Sequence, residues 1–188
     1  MIEFASKRAE LDHEYEQYRR LETLRHLNEQ SPFVGGEGDL DAPIMFVGEA
    51  PGMVETEQLR PFVGPAGSLL RNAIYAIGLD SAECWITNMV KYRPPGNRTP
   101  EFFEIQASLP LIAKEIEIID PALVVVLGKV ALELIKPGER ISAWNGQIIE
   151  HEGRLYLPTY HPSAALKFEE YHTAFIDDFI SIGSLVRP

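Results

Sequence analysis

The chain has 188 residues, a length that suits one domain with its own apolar core, and 45% of the residues are hydrophobic. No run approaches the roughly 18 apolar residues that span a membrane, and the N-terminal stretch lacks the apolar segment of a signal peptide. A single cysteine excludes an internal disulfide and any metal site built from several thiolates. We therefore expect one cytoplasmic domain over residues 1–188, with no membrane segment.

The formal net charge is −11, from 28 acidic and 17 basic residues. This balance disfavours binding to nucleic acid, because phosphate contacts dominate such affinity, so the distribution of charge matters more than its sum. The segment from Lys91 to Arg98 carries three cations, Lys91, Arg93 and Arg98, and no acid. Any contact with nucleic acid should centre there; the alternative is an acidic soluble enzyme with no such contact.

Apolar residues recur at three- and four-residue steps from Leu11 to Leu27, which predicts an amphipathic helix over about residues 5–30. Strands and helices then alternate. The predicted strands cover residues 44–47, 85–90, 122–127 and 156–160, with residues 148–149 pairing with Leu155 and Leu157 across a turn. The predicted helices cover residues 69–77, 101–119, 129–135 and 163–185. This alternation is typical of an α/β fold with a mostly parallel sheet covered on both faces.

A loop rich in glycine and proline, residues 48–52, follows the first strand, and ligand sites of α/β proteins lie at such strand ends. Glu49 in this loop can orient a water or stabilise a cationic transition state, or it can simply cap a backbone turn. Phe62, in a second small-residue loop, offers a stacking face for a planar base, or it anchors its loop in the core.

Two further polar residues follow predicted strands. The side-chain amide of Asn88 can pair with the O4/N3 edge of uracil, or it can terminate its strand. His161 can donate to an oxygen on which negative charge develops, although a single histidine at a strand end is more often structural. Ser163 is expected to cap the last helix and to present its N-terminus to a phosphate.

Together these residues supply a water-orienting carboxylate, a stacking ring, an amide and an oxyanion donor. Cleavage of an N-glycosidic bond needs this set, because the base leaves as an anion while the sugar passes through an oxocarbenium-like state.

Five motifs in this order and spacing carry a resemblance to a known family: VGEAPG, RPFVG-AG-LL, ITN-VK-RPPGNRTP, P-LVVVLGK-A and YHPSA. They resemble family 4 of the uracil-DNA glycosylase superfamily, over nearly the whole chain from Gly36 onward. The resemblance implies a three-layer α/β/α domain with a central four-stranded, mostly parallel sheet. It also implies that the target base is flipped out of the duplex into a pocket.

The resemblance assigns roles by position. It implies Glu49 as the water-orienting carboxylate, Phe62 as the stacking ring, Asn88 as the uracil reader and His161 as the stabiliser of the leaving group. The residues implied to bind substrate or DNA form a larger set: Gly48, Ala50, Pro51 and Gly52 at the base, and Lys91, Arg93, Asn97, Arg98, Ser163 and the wedge Leu166 on the DNA.

The departures from the family concern its iron–sulfur cluster. The four cysteine positions fall near Leu21 and Leu24, on Tyr92 and near Ser108, and none is cysteine. We therefore expect no cluster, no other metal and no cofactor, with apolar or aromatic packing in its place. Two more departures, Thr56 after Glu55 and Leu59 before Arg60, are expected to border the pocket side that screens the C5 substituent, which leaves 5-substituted uracils open as substrates.

Two functions follow. The first is a monofunctional DNA glycosylase that removes uracil, or a 5-substituted uracil, from DNA in base-excision repair; no lysine occupies the Glu49, Asn88 or His161 positions, so lyase chemistry is not indicated. The alternative is a non-catalytic accessory protein that reads a modified base on the same fold. In either case we expect a monomer whose partner is DNA containing uracil or a modified uracil.

Overall fold

The computed structural model describes residues 4–186, and the predicted domain limits at Met1 and Pro188 lie outside that range. Its centre is a six-stranded sheet in the order β1-β3-β2-β4-β6-β5. The strands are β1 (Glu37–Gly38), β2 (Ile44–Gly48), β3 (Trp85–Asn88), β4 (Leu123–Leu127), β5 (Ile149–His151) and β6 (Arg154–Thr159). The four inner strands pair in parallel, as predicted, and the short edge strands β1 and β5 add antiparallel pairs.

Helices cover both faces of this sheet. They are α1 (Lys7–Arg19), α2 (Arg25–Asn28), α3 (Met53–Gln58), α4 (Pro65–Ala76), α5 (Phe102–Ile119), α6 (Gly128–Leu132), α7 (Ile141–Trp144), α8 (Pro162–Ala165) and α9 (Glu169–Val186). Successive residues of β2 point to opposite faces, so that Met45 packs with α1 and α5 while Phe46 packs with α4 and α9. The fold class predicted from the sequence, three-layer α/β/α, is therefore confirmed.

The N-terminal helix is shorter than predicted. It ends at Arg19, because Leu21 adopts an extended conformation (φ −66°, ψ 113°), and a 3₁₀ turn and α2 follow. A straight helix over residues 5–30 would reach about 39 Å. The break instead returns Leu24 and Leu27 to the core, where both are buried.

The predicted C-terminal helix is also divided, into α8 and α9, by a turn at Leu166. Within residues 4–186, the helices are all too short or too polar for a membrane crossing.

Candidate active site

The carboxyl ends of the parallel strands meet at one edge of the sheet, and the loops there enclose a cavity of about 400 Å³. Glu49, Phe62, Asn88 and His161 all line it. These residues lie up to 112 positions apart in the chain, so the fold alone brings them together. Ala50, Pro51, Gly52, Asn97, Arg98 and Ser163 line the same cavity. The chemical role of each residue stays a prediction.

Glu49 follows β2 directly and is half-buried. Burial raises the pKa of its carboxyl group above the ordinary value. Its backbone is fixed as well, since the Val90 N–H donates to the Glu49 carbonyl at 3.1 Å. A carboxylate that is partly desolvated and held in place is suited to accept a proton from water.

His161 is held as a neutral imidazole. The Ser163 backbone N–H donates to its Nδ1 at 3.1 Å, so the ring proton resides on Nε2, and burial lowers the pKa of the ring to about 4. The neighbouring Gly128, with φ +86°, has no room for a side chain, because a Cβ there would lie 2.8 Å from the His161 Cβ. A neutral ring that donates through Nε2 can stabilise a developing anion without transferring a proton.

The backbone of Phe62 is in the left-handed region, with φ +53°, which is unfavourable for a residue with a bulky side chain. Two side chains of opposite charge hold it there. Arg71 donates to the carbonyls of Phe62 (3.0 Å) and Pro61 (3.1 Å), while Glu55 accepts the N–H groups of Val63 (3.0 Å) and Gly64 (2.7 Å). The ring centre of Phe62 then lies 5.9 Å from that of His161. Backbone strain maintained in this way is typical of functional sites.

Asn88 ends β3 and pairs in register with Gly48 of β2. A Cβ on Gly48 would lie 2.3 Å from the Phe62 ring and 2.5 Å from Asn88 Oδ1. Gly48 therefore does not line the cavity itself; its missing side chain allows the stacking ring and the amide to approach each other.

The predicted DNA-binding residues occupy different environments. Arg98 lines the cavity, but its guanidinium also forms two hydrogen bonds, of 2.7 and 2.8 Å, with the buried Glu104. Arg93 is half-buried, bonds to Asn97 at 2.6 Å and lines a smaller neighbouring cavity of about 110 Å³. Leu166 lies outside the main cavity and is 51% exposed, as a wedge would be.

The prediction that Lys91 contacts DNA is wrong. Its side chain is completely buried and forms an ion pair with the equally buried Glu115, at 2.8 Å. The local sequence contains no acid near Lys91, but Glu115 of α5 packs against it in the fold. The ammonium therefore cannot reach a phosphate.

Two further expectations need correction. Ser163 does not cap α8; His161 is the N-cap, and its ring accepts the Ser163 N–H. Thr56 and Leu59 do not line the main cavity, since Thr56 faces the smaller one and Leu59 is 58% exposed at the end of α3. Of that segment only Glu55 reaches the main cavity.

The sequence analysis did not identify Glu55, Ala66, Pro94 and Ala164, which also line the cavity, nor Arg71 behind it. Ala66, Pro94 and Ala164 lie within the motifs quoted for the resemblance, and Glu55 lies between the first two motifs, so their positions were available as a signal. Arg71 gave none, because its partners are backbone carbonyls nine and ten residues earlier and the side chains of Ser81 and Glu37, both on other elements.

Three of the four positions where the family carries cluster cysteines, Leu24, Tyr92 and Ser108, are filled by buried side chains, and Leu21 at the fourth is 38% exposed. Tyr92 is buried and stacks on Tyr18 at 5.8 Å, and the Tyr18 hydroxyl forms a 2.8 Å hydrogen bond with Ser108. Leu24 is buried in the same apolar cluster. Cys84 belongs to the cluster on the other face of the sheet. These residues do not fit an iron–sulfur cluster, and residues 4–186 contain no group of three or more histidine, cysteine or acidic residues arranged to hold a metal.

Comparisons with known proteins match the chain to a family model and to individual enzymes. The family model of the uracil DNA glycosylase superfamily matches residues 36–180. The chain is similar to the type-4 uracil-DNA glycosylase of Sulfurisphaera tokodaii (43% identity, over 81% of this chain and 74% of the relative) and to that of Thermotoga maritima (42%, over 86% of each). It is 40% identical to a third, from Pyrobaculum aerophilum, over 71% of this chain and 73% of the relative.

Proposed function

The chain belongs to the uracil-DNA glycosylase superfamily, and on that premise we propose that it is a monofunctional glycosylase that excises uracil, or a 5-substituted uracil, from DNA in base-excision repair. One observation carries the proposal: a carboxylate, a stacking ring, an amide and a neutral imidazole converge on one cavity. The cavity volume of about 400 Å³ is sufficient for a flipped pyrimidine.

The base is held by contacts that match its shape and polarity. The Phe62 ring stacks on its flat face, a contact worth about 1–3 kcal/mol per base. The Asn88 amide offers both a donor and an acceptor to the O4/N3 edge, which distinguishes uracil from cytosine. An additional C5 substituent would meet the side of the cavity that contains Glu55 of α3 and Ala66 of α4.

The bond between C1′ and N1 breaks with its electron pair passing to the base. His161 donates from Nε2 to the O2 oxygen, where the negative charge accumulates, and remains neutral in the process. Water adds to C1′, and its proton passes to Glu49, whose raised pKa makes its carboxylate a stronger base than that of an ordinary glutamate. The products are the free base and an abasic site.

The support for a monofunctional enzyme is the composition of the cavity wall. In the described part of the chain, its lining includes no lysine. Lys91 lies behind Asn88 with its ammonium bonded to the Asn88 carbonyl and to Glu115, and so it is held away from C1′.

The proposal includes activity without an iron–sulfur cluster, because the chain has one cysteine and aromatic packing occupies the corresponding region. Purified protein should be colourless and contain no stoichiometric iron. Stoichiometric bound iron with an absorbance band near 400 nm in the purified protein would contradict this part of the proposal.

We also propose that the protein acts in the cytoplasm as a monomer on DNA. Sedimentation velocity, with and without a uracil-containing duplex, tests the oligomeric state. A concentration-dependent dimer would contradict it.

The function is tested with oligonucleotides that each contain one uracil, 5-hydroxymethyluracil, thymine or hypoxanthine, treated with alkali after incubation. Cleavage at uracil by the wild type, and a lower but measurable rate of cleavage in Asn88→Ala, is the expected result. Specific binding of a modified base without cleavage would instead identify the accessory protein considered above.

A further inference from the structure

Lys91 is a fully buried cation that takes no part in the chemistry proposed above. Its ammonium donates to three acceptors: the Asn88 carbonyl (2.8 Å), Glu115 Oε2 (2.8 Å) and the Thr87 hydroxyl. An ammonium has three protons, so each has a partner. A buried ion pair of this kind is weak evidence for stability, since its replacement by apolar residues is often neutral or favourable. The alternative role for such a pair is to fix the position of neighbouring groups.

The same network continues to the N-terminal helix. Glu115 Oε1 accepts from the Tyr15 hydroxyl at 2.6 Å, and that hydroxyl accepts from the Gly36 N–H at 2.8 Å. Glu115 is completely buried and Tyr15 is 6% exposed. Hydrogen bonds therefore connect α1, α5 and the end of β3 without passing through solvent.

At its inner end the network reaches the candidate active site. Asn88 presents its amide to the cavity while its own carbonyl is held by Lys91. The backbone N–H groups of the next two residues, Met89 and Val90, donate to the carbonyls of Gly48 (2.9 Å) and Glu49 (3.1 Å) respectively. One short segment, residues 88–91, thus joins the ammonium to the predicted base reader and to the predicted carboxylate.

Helix α1 lies outside residues 36–180, the part of the chain matched by the family model. We propose that Tyr15, Glu115 and Lys91 are positioning residues through which α1 fixes the orientation of Asn88 for recognition of the base, an inference that rests on the proposed function. The N-terminal helix is then a part of the recognition machinery and not only a cover for the sheet.

Tyr15→Phe is the informative variant, because it removes one hydroxyl and leaves the packed ring in place. Leu11→Ala is its control: Leu11 is a fully buried residue of the same helix and has no polar side-chain contact to the network. Each variant is assayed at a temperature at which the two have the same free energy of unfolding. Tyr15→Phe should then slow single-turnover excision about threefold to tenfold, as expected for one lost hydrogen bond, and Leu11→Ala should not.

A double-mutant cycle separates positioning from a structural role. If Tyr15 acts through Asn88, Tyr15→Phe should slow the Asn88→Ala variant by about twofold or less, because the group to be positioned is absent. The proposal would be overturned if Tyr15→Phe slowed excision by the same factor in the wild-type and Asn88→Ala backgrounds, or if it did not slow excision in the wild-type background.

Hydrogen exchange gives a second readout that does not depend on activity. Tyr15→Phe should accelerate amide exchange in residues 86–92 more than Leu11→Ala does at equal stability. Equal protection in the two variants would overturn the network proposal whether or not the protein excises uracil. Failure of the wild type to excise uracil would count only against the proposed function.

Discussion

At the scale of single residues, the fixed protonation state of His161 is the feature with the clearest chemical consequence. A backbone N–H occupies Nδ1, and burial holds the pKa of the ring at about 4, so the ring is a neutral Nε2 donor throughout the physiological range. The sequence identified His161 by position, but neither its tautomer nor its neutrality was visible there, because the partner is a backbone group two residues further on.

We predict that His161→Ala reduces the single-turnover rate on uracil DNA by about 10²–10³, the usual loss for one oxyanion donor. DNA affinity should change little, since the contact forms with charge that develops only in the transition state. Gel-based rates at saturating enzyme provide the measurement. A wild-type rate would place the leaving-group stabiliser elsewhere.

The pH dependence should be set by Glu49. Burial raises the pKa of Glu49, so the rate should increase with pH as its carboxylate forms, with a midpoint displaced upward from that of an ordinary glutamate. Because the pKa of His161 is about 4, its ionisation should not contribute a second limb near neutrality. The measurement is a single-turnover pH profile of the wild type and Glu49→Gln. The acidic limb should disappear in that variant; its persistence would assign the limb to another group.

At the scale of elements, the two loops around the cavity are held by side chains that act on backbone groups. Arg71 of α4 binds two carbonyls of the Phe62 loop from one side, and Glu55 of α3 binds N–H groups of the same loop and of Gly52 from the other. The loop is thus fixed from both sides in the strained conformation that presents the ring.

We predict that Arg71→Met destabilises the protein by about 1–3 kcal/mol, because two carbonyls lose their donor, and raises KM for uracil DNA as Phe62 relaxes. The control is Arg60→Met. Both arginines form an ion pair with Glu37, at 2.5 Å for Arg71 and 2.8 Å for Arg60. Arg60 touches neither carbonyl and its side chain is 56% exposed, so its loss should cost no more than about 1 kcal/mol.

Thermal unfolding and steady-state kinetics of the two variants test this prediction. Equal effects of the two substitutions on KM would show that the Glu37 ion pairs, and not the carbonyl contacts, position the loop.

The elements that sequence predicted well are those specified by local pattern. The apolar runs of β2 and β4 and the spacing of α5 need no distant partner to be recognised, and their observed limits agree with the predictions to within one residue. The long N-terminal helix was overestimated because three- and four-residue spacing continues across the extended Leu21. Lys91 was misassigned for a different reason: its burial depends on Glu115, 24 residues later and on another element.

At the scale of the whole molecule, an acidic protein must present a limited cationic surface to DNA. With Lys91 buried, Arg93 and Arg98 remain from the predicted segment, and both flank the cavities described above. Glu104 holds Arg98 in place and neutralises part of its charge. Desolvation alone would raise the pKa of Glu104, but the hydrogen bonds that it accepts, above all from Arg98, lower this pKa to about 2. The pair therefore acts as a positioned donor more than as a free charge.

We predict that Arg93→Ala combined with Arg98→Ala weakens duplex binding at low salt and flattens the slope of log K against log[salt] by up to about two units, at about 0.9 per phosphate contact. The chemical step at saturating DNA should change less than in His161→Ala. The control, Arg19→Ala with Arg25→Ala, removes the same charge from two arginines that pair with glutamates, as Arg98 does, but do not line the cavity. An unchanged slope in the first variant would move the DNA surface toward Lys129 and Lys167.

The central claim is that this cavity hydrolyses the bond between uracil and its sugar. Its most direct test is mass spectrometry of a duplex oligonucleotide with a single uracil, incubated with excess enzyme and analysed without alkali. The account predicts free uracil and an intact strand that carries one abasic site, with neither product formed by His161→Ala in the same interval. An unaltered oligonucleotide, or a strand already broken at that site, would contradict it.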